Sequence, residues 1–245
     1  MATPEAGDRR EAALVAVIPA LNASSTIAAV VEGALRHVRR VLVVDDGSSD
    51  DTGERARRAG AEVIRHPDNR GKGAALATAF EDVLAGGPFE AVVTLDADGQ
   101  HDPEDIPAFL DLFRKERPAL IVGSRERDFA GMWGPRRAMN RFSSASLRVF
   151  AGVDLPDSQS GFRLYDAALL RRLRLLGRRY EAEMEALMRA AEWGLKVASV
   201  PIRLRVVDGR ATSHYRPVRD TFRIVGTVLR QWLRRRVTRA RPPRL

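Results

Sequence analysis

Short apolar runs alternate with amphipathic stretches through the first half of the chain, and this alternation restricts the fold more than any other feature. Residues Leu14–Ile18, Val41–Val44, Glu62–Arg65, Ala91–Leu95 and Leu120–Gly123 have the length and composition of strands, mostly buried ones. Between them, Ser25–Val38, Thr52–Ala59 and Gly73–Leu84 have helical character, with Ser24/Ser25 expected to cap the first helix and Asp50, Asp51 and Thr52 the second. Strands separated by helices predict an α/β fold with a central, mostly parallel sheet flanked by helices. In the second half, Met132–Arg137 reads as an arginine-rich Gly/Pro loop and a helix is expected from about Asn140. Further helices are expected over Asp166–Leu173 and Glu181–Glu192, then an extended segment, Val197–Arg205. The expected organisation is a flexible N-terminus over 1–11, one domain over 12–217, and a basic amphipathic C-terminal helix and tail over 218–245.

Composition removes several classes of function. No cysteine is present, which excludes disulfides, thiolate catalysis and Cys-based metal sites. The N-terminal residues lack the apolar core of a secretion signal, and no stretch approaches the ~18–20 apolar residues of a spanning helix. A cytoplasmic location follows as an expectation. The net charge of +9 is almost wholly arginine, since lysine occurs only at Lys72, Lys115 and Lys196. Arginine suits two-point contact with phosphates, so phosphorylated substrates, anionic membranes and nucleic acid all fit the charge. With aromatics at 6% and no nucleic-acid-binding motif, nucleic acid is not an expected partner.

In open parallel sheets, ligands gather beyond the carboxyl ends of the strands. Three polar loops leave the predicted strands on that edge: Pro19-Ala20-Leu21-Asn22, the DDGSSDD run from Asp45 to Asp51, and Asp96-Ala97-Asp98-Gly99-Gln100-His101. Asp96 and Asp98, one position apart just past a buried strand, can turn together toward one hard cation, with Gln100 adding a neutral oxygen. Mg²⁺ or Mn²⁺ takes such ligands and completes its sphere with substrate phosphates. The alternative is a solvated acidic turn, or a capping aspartate for the helix near Ile106. Asp45 or Asp46 can accept hydrogen bonds from a base or ribose, or can serve the following helix. Asn69-Arg70-Gly71-Lys72-Gly73 is not a Walker loop, because Gly73 stands where Ser or Thr is needed. It nevertheless places Lys72 and backbone N–H groups at a helix N-terminus, which suits an anion; a plain glycine-rich helix start is the other reading.

Taken in order, VIPALN at 17–22, VVDDGSSDDT at 43–52, RGKGAAL at 70–76, LDADGQHDPEDIP at 95–107, GSR at 123–125, DSQSGFRLY at 157–165, YEAEMEAL at 180–187, VPIRLR at 200–205 and SHYRPVRDT at 213–221 resemble glycosyltransferase family 2. The resemblance is greatest to its dolichol- or polyprenol-phosphate mannosyltransferase branch and covers nearly the whole chain. It implies the GT-A nucleotide-sugar-binding fold and a metal-dependent, inverting hexose transfer from a donor such as GDP-mannose or UDP-glucose. On this resemblance Pro19, Asp45 and Asp46 line the nucleotide and Asp96, Ala97 and Asp98 lie at the diphosphate; Asn22 and Lys72 are further candidates for nucleotide-sugar binding. Asp96, Asp98 and Gln100 hold the metal, Arg125 lies near the sugar diphosphate, and Glu185 faces the pocket. Arg205, Ser213 and His214 close over the donor, and Asp157, Gln159 and Ser160 line the acceptor side.

The implied acceptor is a polyprenyl or dolichyl phosphate, for which Arg136, Arg137 and Arg141 are candidate grips. A soluble hydroxyl acceptor, which would need a carboxylate such as Asp157 as base, is the alternative, and a catalytically silent nucleotide-sugar-binding protein is a further one. Ala23 stands where the family commonly has glutamate, and Asp208-Gly209 where it commonly has an aromatic residue and glycine. Val218, Phe222, Val225, Val228, Leu229, Trp232 and Leu233 form an apolar stripe flanked by arginines. Such a helix either packs on the domain or lies at a membrane interface, which would hold the protein peripherally at the inner face of the membrane. The sequence does not speak to oligomeric state.

Overall fold

The computed structural model describes residues 14–125, 134–175, 181–205 and Gly226. Its elements run in the order β1 (Leu14–Ala20), α1 (Ile27–Leu35), β2 (Arg40–Asp45), α2 (Thr52–Arg58), β3 (Glu62–Arg65), α3 (Lys72–Ala85), β4 (Ala91–Thr94), α4 (Ile106–Glu116), β5 (Leu120–Ser124), α5 (Gly134–Ala151), β6 (Arg163–Asp166), α6 (Ala167–Arg172), α7 (Glu181–Glu192) and β7 (Val197–Pro201). A single 3₁₀ turn, Pro103–Asp105, leads into α4.

The strands form a seven-stranded sheet in the order β3-β2-β1-β4-β6-β5-β7. Pairing is parallel for β1 with β2 and β4, β2 with β3, and β5 with β7, whereas β6 runs antiparallel to both β4 and β5. Side chains alternate across the sheet, so β1 sends Leu14, Ala16 and Ile18 to one face and Val15 and Val17 to the other. The first face is covered by α1 and α4 through Ile27, Val31, Phe109 and Phe113; the second by α3, α6 and α7 through Leu76, Phe80, Leu169 and Leu187. Helices on both faces explain why the central strands read as unbroken apolar runs.

The expected mixed, mostly parallel α/β architecture is the one found, with four corrections. The first helix starts at Ile27 with Thr26 in the cap position, and no side chain caps it. Helix α5 begins at Gly134, inside the segment read as a loop, because Pro135 in the first turn gives up no needed N–H and presets φ for a helix. The extended segment after α7 is a strand only as far as Pro201; beyond it Leu204 makes an isolated bridge to His101. Strand β6 was not anticipated, and it occupies a central place in the sheet. The expected C-terminal helix apart from Gly226, the N-terminal segment, and Ser213 and His214 lie outside the described residues.

Candidate functional site

The carboxyl ends of β1, β2, β4 and β5 open on one edge of the sheet. Because β6 is inverted, Arg163 at its start pairs with Thr94 and Val122 near the ends of β4 and β5. The segment before β6, residues 154–162, therefore reaches the same edge as the loops that follow the parallel strands.

Loops one and two are stitched together. The backbone N–H of Asn22 donates to Ser48 Oγ (2.9 Å), that of Ala23 to Thr52 Oγ1 (2.8 Å), and that of Ser49 to Asn22 Oδ1 (2.9 Å). Thr26 ties this pair to the aspartate loop, donating its hydroxyl to the Ala97 carbonyl at 2.6 Å. Pro19 lies at the end of β1, paired with Val44. Asp45 is fully buried and accepts from Ser48 N–H (2.9 Å) and Arg65 Nη1 (3.0 Å). The buried Asp46 carboxylate accepts from the backbone N–H groups of Arg70 (3.0 Å) and Gly71 (2.7 Å), and its Oδ1 meets His66 Nδ1 at 2.7 Å. Both aspartates thus brace the loops around them, and Asp46 fixes the turn that starts α3. His66 carried no sequence signal for that role.

Lys72, the first residue of α3, turns its ammonium inward. Its Nζ stands 2.5 Å from Asp96 Oδ1 and 3.0 Å from Glu183 Oε1 on α7. Burial by itself would lower the lysine pKa, but the two carboxylates raise it, so Lys72 is charged. Burial would raise Asp96, yet the Lys72 ammonium and, less strongly, the Arg125 guanidinium hold it down at about 2. Asp98 is pushed up, by burial and by Asp96 beside it, and acid therefore protonates Asp98 before Asp96. The Asp98 carboxylate accepts the Gln100 N–H at 3.0 Å, closing the turn at Gly99 (φ +73°). His101 is kept neutral by burial; its Nδ1 receives the Asp96 N–H at 3.3 Å, and its ring lies tilted against Phe162, 5.4 Å between centroids.

On the other side, Arg125 grips Asp157 with two donors, Nε to Oδ2 at 2.5 Å and Nη2 to Oδ1 at 2.9 Å, and Asp157 also accepts the Gln159 N–H at 3.1 Å. Burial would raise the Asp157 pKa; the guanidinium outweighs it and holds the carboxyl below its usual range. Ser158 joins this loop to α5 through Ser143 (3.0 Å) and Ser144 (3.1 Å), and Ser160 is buried with its Oγ accepting from Phe162 N–H at 3.3 Å. Arg137 and Arg141 are exposed on α5, and Arg136 falls in its first turn. Arg205 lies beside the aspartate loop: its N–H donates to the Gln100 carbonyl at 2.9 Å and Nη2 stands 2.9 Å from Asp102 Oδ1.

The structure brings Asp96, Ala97, Asp98, Gln100, Lys72 and Arg205 together, and Arg125 with Asp157. Glu185 is buried on α7, but the acid that reaches Lys72 is Glu183, two residues earlier and about 200° away around the helix. Among the described residues, no three Asp, Glu, His or Cys side chains converge on one point. A cation here would rest on the two aspartates, the Gln100 amide and a ligand's phosphates, which is the usual protein share for Mg²⁺. The fit is supported by Lys72, whose ammonium already stands against an Asp96 oxygen as a cation would. It is also supported by Gly161, where an added Cβ would come within 2.6 Å of both Asp96 oxygens.

Comparison with known proteins identifies the family and the fold. Residues 15–174 match the family model described as Glycosyl transferase family 2. The chain is 30% identical over 210 residues (76% of this chain, 83% of the other) to the UDP-N-acetylglucosamine–dolichyl-phosphate N-acetylglucosaminyltransferase of Methanococcus voltae. It is 33% identical over 173 residues (66% and 70%) to the undecaprenyl-phosphate mannosyltransferase of Micrococcus luteus. Among solved structures, glucosyl-3-phosphoglycerate synthase from Mycobacterium tuberculosis, in complex with Mn²⁺, UDP and phosphoglyceric acid, superposes with a TM-score of 0.70 at 24% identity, covering 90% of this chain and 78% of that one, which shows the shared GT-A fold. The chain therefore belongs to glycosyltransferase family 2, on the side of that family occupied by the polyprenol- and dolichyl-phosphate sugar transferases.

Proposed function

We propose that this glycosyltransferase moves a hexose from a nucleotide-sugar to a polyprenyl or dolichyl phosphate, with Mg²⁺ or Mn²⁺ held by Asp96, Asp98 and Gln100. The observation that carries the acceptor class is the state of Asp157. A carboxylate gripped by a two-point guanidinium and held below its usual pKa is a poor proton acceptor, so a hydroxyl acceptor would find little help there. A phosphate monoester oxygen is already ionised at neutral pH and needs no base. The relatives support the same choice: the two named above differ in the sugar they transfer, and both names specify a lipid phosphate.

In this reading the first two loops and the braced Asp45 and Asp46 form the nucleotide side of the site, and Arg205 closes over the diphosphate. Arg125, positioned by Asp157, lies near the sugar diphosphate. The bound cation would act as Lewis acid toward the departing nucleoside diphosphate. The protein's own contribution is positioning and fixed charge, which suffice where the nucleophile is already an anion.

Helix α5 offers a surface for a lipid-borne acceptor. Phe142 and Val149, seven residues apart and so on one stripe, are 49% and 71% exposed, with exposed Arg137, Arg141 and Arg148 beside them. An apolar and basic face of this kind suits an anionic membrane surface. Among the described residues no helix is long and apolar enough to cross a membrane, so contact through α5 would be peripheral.

A donor screen with GDP-mannose, UDP-glucose and UDP-N-acetylglucosamine, with Mn²⁺ present, tests the assignment by following nucleoside diphosphate release. Undecaprenyl phosphate in anionic vesicles is expected to support release and to carry protein into the vesicle pellet; phosphoglycerate is expected to support neither. Turnover with phosphoglycerate and none with the lipid would favour the soluble acceptor that the structural neighbours contain. A second expectation concerns Gly161. Its Thr94-bonded backbone is fixed (2.8 Å), so the Cβ of Gly161→Ala must displace Asp96 or Lys72. Misplacement of this order is expected to lower transfer roughly 10²-fold, with little change in melting temperature; unchanged turnover would show that the Asp96 position is not critical.

A further inference from the structure

The divalent site as read above already has a cation in it. Lys72 Nζ stands between Asp96 Oδ1 (2.5 Å) and Glu183 Oε1 (3.0 Å), and the side chains of Lys72 and Glu183 are only 17% and 5% exposed. Gly161 completes the enclosure, since a Cβ there would fall 2.5 Å from the ammonium. A divalent ion using the same Asp96 oxygen would meet the lysine charge at close range, where repulsion is strong.

We infer that Lys72 is a tethered competitor for the divalent cation. It neutralises Asp96 until a metal arrives with the donor's diphosphate, and it then leaves Asp96 for Glu183. The inference rests on the metal reading of the previous section. Glu183 is in this scheme a positioning residue: it gives the displaced ammonium a partner already within ion-pair distance, so the exchange leaves no buried charge uncompensated. Lysine suits the task better than arginine because its compact ammonium turns freely on a flexible stem.

The test needs no turnover. Mn²⁺ binding to the purified full-length chain, with UDP or GDP present, is measured by the EPR signal of free Mn²⁺. Lys72→Met is expected to tighten Mn²⁺ binding about tenfold by removing the nearest opposing charge. The same tightening is expected when Lys72→Met is made in a Glu183→Gln background, which removes the buried pair together and guards against misfolding. A second readout follows the ammonium itself. The chain has only three lysines, so ¹⁵N-lysine labelling gives three assignable side-chain signals. Saturating Mg²⁺ and nucleotide are expected to shift that of Lys72 and to leave Lys115 and Lys196 in place. A Lys72 signal that stays put, or Mn²⁺ affinity that is unchanged or weaker without Lys72, overturns the competition while leaving the metal site intact. A wild-type chain that transfers sugar yet binds no Mn²⁺ or Mg²⁺ overturns the metal reading and the competition with it.

Discussion

Replacing Asp96 and Asp98 together by asparagine is expected to lower sugar transfer by about 10³-fold or more, with the protein still folded. The size follows from what the pair is proposed to hold. A metal on a departing diphosphate stabilises developing charge by several kcal/mol, and each ~1.4 kcal/mol is a factor of ten in rate. Folding should survive, because Lys72 keeps Glu183 as a partner after Asp96 is neutralised, and Asp96 is itself partly exposed. Chelation of metal from the wild-type enzyme should reproduce the loss, and added Mn²⁺ should restore the wild type and not the variant. Turnover and metal dependence that survive the double substitution would remove the basis of the assignment.

The second large effect is on stability. Arg163 is completely buried, and its guanidinium donates to three backbone carbonyls: Ser160 (2.8 Å) and Ser158 (2.8 Å) in the loop before β6, and Glu183 (2.6 Å) near the start of α7. Arg163→Met would leave the Ser158 and Ser160 carbonyls without this donor in a dry interior and would remove the tie to the Glu183 carbonyl on α7. Bonds to a charged donor contribute ~1.5–3 kcal/mol each, and orphaned acceptors add their own desolvation cost, so a loss of about 3–5 kcal/mol is expected in urea unfolding. Lysine should not rescue it, because one ammonium cannot reproduce the fork. A loss under about 1 kcal/mol would mean that the loop and α7 hold without this link.

The parallel half of the sheet was legible because its strands announce themselves. Runs such as Val41–Val44 have no polar residue to confuse the reading, and turns rich in Asp, Gly and Ser follow them at once. The aspartate loop was legible for the same reason, since Asp96 and Asp98 break off a strand in which every residue is buried. Strand β6 was not. It is four residues long, begins with arginine and ends with aspartate, and a charged residue at the centre of a sheet reads as surface until its three carbonyl partners are known. Those partners come from distant segments, so no local pattern reveals them.

The same limit applies to the acids of α7. The helix is buried almost all round, from Ala182 to Met188, so its periodicity does not distinguish the side of Glu183 from that of Glu185. The pairing of Arg125 with Asp157 joins residues 32 positions apart. Each was a candidate on its own account, and their mutual grip, which turns Asp157 from a base into a brace, is a property of the folded chain alone.

The inversion of β6 also divides the labour of the edge it serves. The side proposed to hold the nucleotide is built by chain leaving strands, through the loops after β1, β2 and β4, and those loops are bonded to one another. The segment around Asp157 arrives by the opposite route, entering a strand instead of leaving one, and is moored to α5 and α7. The two halves meet at a few points, among them Gly161, which accepts from Thr94 and lies against Asp96, and Lys72, which pairs with both Asp96 and Glu183. On the proposed reading, changes in the entering segment alter the receiving molecule first, while the contacts at Gly161 and Lys72 limit how far that segment can drift from the aspartates.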